Sequence, residues 1–353
     1  MASIRPSTLL LRVDGFGWQD CLATGPGSAI LGSLLFSALF PAPMSVKFLL
    51  RVAGTLLLAW AAAAACVALH TPLPWMLGPL VATSVLSMAG APTESWGPLR
   101  NGGQWAIGAA LGLYFTPEVS ALVGSLWWAI VLGIGWALLL GWGFGAWLYR
   151  LHAPRMHGVP APMLRSTSYF AGAIGAASEM TLLSERENAR TDLVAASHSL
   201  RLLIVTITIP FALQWSGLQG LDILTPTVRD VSWPGLALLA LLTGAGALVM
   251  DRLGRANPWF MGAMLVSMAV TMAGLHLSAV PQAVVNAAQL VIGVSLGVRF
   301  RAEFLHTAPR WLASVAVGTF GLMGICAAFA AVLAWATGLP WVTLLLGTSP
   351  GGI

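Results

Sequence analysis

The sequence predicts an all-α integral membrane protein of the inner membrane. It is read as two inverted repeats of about five transmembrane helices plus a re-entrant element each, the second repeat incomplete. Three observations predict this class. Apolar residues make up 58% of the 353 and charged residues only 8%, two sets of strings recur in the two halves, and basic residues fall in short loops that orient those halves oppositely.

A soluble domain carries about a quarter charged residues, so a mean hydropathy of +0.83 requires lipid as the solvent for most of the chain. Long unbroken apolar runs, rather than segments of alternating polarity, favour helices over an outer-membrane barrel. The net charge of +5 is dispersed through inter-helical loops, the pattern that orients a membrane protein, and nucleic acid is not an expected partner. Cys21, Cys66 and Cys326 are too few and too widely spaced for a metal cage or disulfide framework, and no cofactor is expected. The expected partners are the lipid bilayer, an unidentified small solute and a second copy in a homo-oligomer.

Residues 1–43 form an extension of doubtful role, with Arg5, Arg12, Asp14 and Asp20 among Gly and Ser. Met44 is a more natural start, because Lys47 and Arg51 precede an apolar run at 52–69 as in a signal anchor. Further apolar segments follow at 74–91, 99–115, 120–149, 192–214, 233–250, 258–274, 284–299 and 309–336. Each is near or beyond the length that crosses about 30 Å of hydrocarbon. Ser166 to Leu183 and Leu339 to Ile353 are apolar but rich in Gly, Ser and Thr, as broken or re-entrant elements are. The first repeat is assigned to 44–230 and the second to 231–353.

The duplication rests on matched strings. Pro74-Trp75-Met76-Leu77-Gly78, running to Met88-Ala89-Gly90, recurs as Pro258-Trp259-Phe260-Met261-Gly262, running to Met272-Ala273-Gly274. Asn101, Gln104, Ile107, Gly108, Leu111, Gly112, Phe115 and Glu118 are answered by Asn286, Gln289, Ile292, Gly293, Leu296, Gly297, Phe300 and Glu303. Asn, Gln and the first Gly share one helical face.

Orientation follows from Lys and Arg, which stay in the cytoplasm. The loop before Pro258 carries Arg252 and Arg255, whereas its counterpart before Pro74 has no basic residue, so matched loops face opposite sides. Inversion needs an odd number of crossings per unit. Ser166 to Leu183 is therefore expected to enter from the cytoplasmic side and return there.

Several residues are candidates for a binding site. Glu179, beside Ser178 at the end of the first broken element, is either a functional carboxylate at membrane depth or an interfacial helix cap. Arg201 lies on an apolar helix one turn after His198. It needs Glu179 or an anionic solute as partner unless it snorkels to the interface. His198 reads either as a proton-handling group or as a hydrogen-bonded structural histidine. Asn101, Gln104, Asn286 and Gln289 form a polar cluster near the pseudo-two-fold axis or serve as helix glue, while the Gly pairs have small-xxx-small spacing for close packing. Pro350, Gly351 and Gly352 break the last segment and free backbone groups for a ligand, or merely end it.

Taken together, these strings resemble the membrane AbrB family of Gram-negative bacteria, which has an internal duplication and is labelled an ammonia monooxygenase or a regulator. The matching strings are Leu73 to Leu80, Gly108 to Phe115, Ser178-Glu179-Met180, Ser199-Leu200-Arg201 and Gly347 to Gly352. The chain departs from the family in two places. Ile174-Gly175-Ala176 stands where the family has Pro-Gly-Gly, and the chain ends at Ile353 where the family continues into a second Glu-Met and a final helix. The scattered histidines His70, His152, His157, His198, His276 and His306 give no ligand spacing for the copper or iron of a monooxygenase. A transporter-like role in moving or sensing a small solute is the leading expectation. An indirect effect on gene expression is the alternative.

Overall fold

The computed structural model describes residues 45–156, 158–175, 177–217, 230–300 and 308–350. The N-terminal extension, Arg301, Glu303, His306, Gly351 and Gly352 lie outside the described residues, as does the side chain of Ser178. Residues 1–49 group separately from 50–353, and of the former only the start of the first helix is described.

The described residues form thirteen helices and no strand. They are α1 (Val46–Ala68), α2 (Pro74–Met88), α3 (Gly97–Gly112), α4 (Pro117–Ser125), α5 (Trp127–His152), α6 (Ala161–Gly172), α7 (Ala177–Arg186), α8 (Thr191–Ser216), α9 (Trp233–Arg252), α10 (Pro258–Met272), α11 (Gln282–Gly297), α12 (Pro309–Thr337) and α13 (Trp341–Thr348). Five of them, α1, α5, α8, α9 and α12, are long and apolar enough to span a bilayer. The pair α3 and α4, bent by 82°, makes a sixth if counted as one span. The protein is thus a multi-pass membrane protein. Leu138 on α5 and Val317 and Trp335 on α12 are among many large apolar side chains on its outside, a surface suited to lipid.

Helix lengths differ from the sequence expectation. The segment expected at 120–149 divides at Leu126 into α4 and α5. The helices α2 and α10 have 15 residues each and rise only about 22 Å. Their ends explain the shortening. Leu73 and Asn257 stand left-handed before Pro74 and Pro258, at φ 45° and 47°, while Gly90 and Gly274 turn the chain at φ 82° and 75°. Proline at the first helical position and glycine past the last fix each end.

The helices pack as two groups. In one, α2 packs on α11, α3 on α10 and α11, and α9 on α10. Here glycines set the contacts, because a Cβ would collide with backbone. A Cβ at Gly108 would lie 2.4 Å from the Phe260 carbonyl oxygen, and one at Gly112, a turn later, 2.7 Å from that of Met264. The helices α3 and α10 therefore run side by side in one direction, and the Ser267 hydroxyl donates to the Ala109 carbonyl at 2.8 Å. The same contacts occur between α11 and α2, where a Cβ at Gly293 would meet the Met76 carbonyl at 2.7 Å and one at Gly297 that of Leu80 at 2.9 Å. Gly103 on α3 sits against Ala288 on α11, where those two helices cross.

The second group comprises α5 to α8, α12 and α13. Its core joins Leu140, Phe144 and Leu148 of α5 to Leu193 and Val194 of α8 and Trp311 and Val315 of α12. Gly141 and Gly145 let α6 approach α5 closely, and a Cβ at Gly172 would lie 2.4 Å from the Gly145 nitrogen. At the other end of α6 the Arg165 guanidinium covers the Tyr149 ring at 5.5 Å, so α5 and α6 are antiparallel.

The glycine contacts predict an asymmetric response to alanine. Gly108→Ala and Gly293→Ala should each destabilise the purified protein by about 1–3 kcal/mol through overpacking. Gly102→Ala, with nothing within 4 Å of the added atom, should be neutral or gain up to about 1 kcal/mol. Unfolding midpoints in detergent measure the difference, and equal midpoints for all three would contradict the packing described.

Candidate functional site

The first broken element of the sequence is a pair of short helices. The chain leaves α5 at His152, runs along α6 to Gly172, and breaks at Ala173–Gly175 beside Gly141. That position is about eleven residues back from the end of α5, or about 16 Å. It then returns along α7, and the backbone N–H of Arg190 donates to the Thr167 hydroxyl at 2.9 Å. The chain has come back beside the helix it entered by.

A helix that stops leaves its last carbonyls without partners, and one that stops away from water must find donors inside the protein. Those donors come from α8. Arg201 is 2% exposed; its Nη1 donates to the Ala171 and Gly172 carbonyls at 3.4 and 3.1 Å, and its Nη2 to Ala173 at 2.7 Å. The second nitrogen also donates to His198 Nδ1 at 2.9 Å, while His198 Nε2 lies 2.8 Å from the Phe170 carbonyl. Because arginine can only donate and a carbonyl only accept, the imidazole proton sits on Nε2 and His198 is neutral. The cation faces the negative end of the α6 dipole, where it is favourable.

Arg201 therefore neither snorkels nor pairs with Glu179. It lies about ten residues into α8, or about 15 Å, level with the break. Glu179 occupies the first turn of α7, half-buried, and has no hydrogen bond or ion pair among the described residues. Three features thus meet at the break: the capped end of α6, the start of α7 with its free N–H groups, and the Glu179 carboxylate.

The other candidates lie elsewhere. Gly103, between Asn101 and Gln104, meets Ala288, between Asn286 and Gln289, where α3 crosses α11, while Asn286 lines a cavity with Trp60 and Trp75. No hydrogen bond joins one pair to the other among the described residues. Asn101 Oδ1 accepts from Arg100 at 3.4 Å and Asn286 Oδ1 from Gln282 at 2.9 Å. These helices belong to the first packing group, whereas Arg201 and Glu179 belong to the second. Pro350 is buried beyond the end of α13 and lines an apolar cavity of about 400 Å³ with Ile209 and Cys326. Among the described residues no three His, Cys, Asp or Glu side chains gather as a metal site.

Sequence reasoning missed Thr167, which is fully buried. It also missed the glycines that set the depth of the break, although Gly141 and Gly145 carry the small-xxx-small spacing that signals close packing.

A family described as "Transition state regulatory protein AbrB" matches residues 75–353. Over 291 residues, 81% of this chain and 80% of the relative, the sequence is 26% identical to a protein of Escherichia coli (strain K12) called "Putative regulator AbrB". No solved structure matches.

Removing the Arg201 side chain should unpair several buried carbonyls, at about 1–3 kcal/mol for each group left unsatisfied. We expect Arg201→Met to lower the melting temperature in detergent strongly, and Arg201→Lys, which cannot present a planar fork, to recover only part of the loss. A melting temperature for Arg201→Met equal to that of the unsubstituted protein would remove Arg201 from its role as the cap.

Proposed function

The chain belongs to the AbrB family, and from that premise we propose that it is a transporter-like protein of the bacterial inner membrane that moves or senses a small solute. The observation that carries this reading is Arg201. A charge is buried in a membrane helix and committed to backbone carbonyls at a helix break, and broken helices are what secondary transporters use to build sites near the bilayer midplane. On this reading α6 and α7 are a re-entrant hairpin. Arg201 and His198 fix its tip, and Glu179 offers the carboxylate that meets a solute or coupling ion.

The proposal includes an inverted duplication. What supports it is the shared direction of α3 and α10. The helix α10 carries the string that matches α2, and the hairpin reading has the chain turn back between α2 and α3. If those two run oppositely, the matched helices α2 and α10 do so as well. The Asn-Gln helices would then cross on the pseudo-two-fold axis and act as the frame against which the second group moves.

The relative's name, which describes a regulator, favours a second reading, in which the protein affects gene expression indirectly through a protein partner. Two measurements separate the readings. In a cysteine-free background, single cysteines at Thr71 and Arg255 should label from opposite faces of the membrane if the repeats are inverted. Purified protein in proteoliposomes, tested against a panel of labelled amino and carboxylic acids, should take up at least one of them. Glu179→Gln should cut that uptake tenfold or more while leaving the melting temperature unchanged. Absence of uptake across the panel, together with a copurifying protein, would establish the regulatory reading instead.

A further inference from the structure

Beside the α5–α6 contact lies a cleft of about 720 Å³. Its walls are of two kinds. Toward the middle of α5 it is lined by Trp142, Gly145 and Ala146, with Phe170 across from them, and toward the end of the helix by Tyr149, Arg150, Arg165 and Glu187. Trp142 is 65% exposed, on the same helix as the lipid-facing Leu138. Arg150 lies in the last turn of α5, where a spanning helix meets the headgroup layer. Arg165 is held over the Tyr149 ring, which restrains its guanidinium and leaves its edge free. Neither arginine forms an ion pair among the described residues.

From this arrangement we propose that the cleft binds one anionic phospholipid. Its phosphodiester sits on Arg150 and Arg165, its acyl chain lies along Trp142, Gly145 and Ala146, and its headgroup hydroxyls donate to Glu187. The charges match: two guanidinium groups and one carboxylate leave the cleft at net +1, and a phosphatidylglycerol headgroup carries a single negative charge. Guanidinium binds phosphate bidentately, and basic pockets between membrane helices are recognised headgroup sites. The lipid would brace α6, the helix that carries the break, without touching Glu179 or Arg201. The inference rests on the membrane-spanning character of α5 and not on transport.

The test uses full-length protein, delipidated in neutral detergent and titrated with dioleoyl phosphatidylglycerol, with melting temperature and bound phosphorus as readouts. Saturable binding and stabilisation are expected. Each basic contact near a membrane surface contributes about 1 kcal/mol, so Arg150→Gln and Arg165→Gln should each weaken binding about fivefold and together about 25-fold. Arg155→Gln should change nothing, because Arg155 does not line the cleft and its Nη1 donates to the Leu151 carbonyl. Equal binding of dioleoyl phosphatidylcholine would overturn the proposal, since no headgroup would then be read. Equal stabilisation by inorganic phosphate would also overturn it, by assigning the arginines to a free anion. Should the double variant fail to fold, Ser166→Leu in the same cleft must block the lipid, or the proposal falls.

Discussion

The fold of the second helix group depends on how four carbonyls are satisfied. The helix α6 ends at the level of Gly141, halfway along a spanning helix, where lipid offers no hydrogen bonds and each unpaired backbone group costs several kcal/mol. Arg201 takes three of these carbonyls and His198 the fourth. Without them the break would have to shift to the interface or close into a continuous helix. With them, α6, α7 and α8 form a unit whose registers are mutually fixed. Thr167 locks its lower end to Arg190, and Trp311 locks α12 to it by donating to the Ser197 hydroxyl at 2.8 Å. The arginine serves as a backbone cap on a long arm, one that reaches across from a neighbouring helix.

A second constraint governs the first group. Its helices meet through glycines and carbonyl edges, and α2, α3, α10 and α11 each take their main partner from the other half. Close approach of backbones is how helices associate when lipid is as apolar as leucine and removes the usual hydrophobic drive. The polar contacts across this group are few, such as Trp105 Nε1 donating to the Thr243 hydroxyl at 3.0 Å. The two groups thus solve the same problem differently, one by shape and the other by a polar network at a deliberate break.

Much of this was legible in the sequence, and what escaped did so for identifiable reasons. Composition alone sufficed for an all-helical membrane protein, because so few charges cannot cover a soluble surface. The break near Gly175 was visible as a run of Gly, Ser and Thr. Arg201 stood out as a cation on an apolar helix, but its partner did not, since every residue carries a carbonyl and no side-chain signal marks the ones left unpaired. The division at Leu126 was hidden because a lone glycine, Gly124, is tolerated inside an apolar helical run. The start of α4 lies at Pro117, ahead of the expected segment, where the Thr116 hydroxyl accepts from the Val119 N–H as an N-cap does. The placement of the Asn-Gln helices apart from Arg201 was beyond periodicity, which assigns a face to a helix without saying which neighbour the face meets.

The exchange of partners between the halves bears on how the protein is made. Gly112 emerges about 150 residues before Met264, the residue it packs against, and at about 5–20 residues per second that interval lasts about 8–30 s. During it α3 sits in the bilayer with its glycine face uncovered, and α2 without the glycines of α11 that cover it. Any other small-residue helix passing through the insertion machinery is a competitor for those faces. Biogenesis therefore asks for a chaperoning lipid, an insertase or a neighbouring chain to occupy them until α10 and α11 arrive, and a stalled ribosome in that interval would strand an aggregation-prone half.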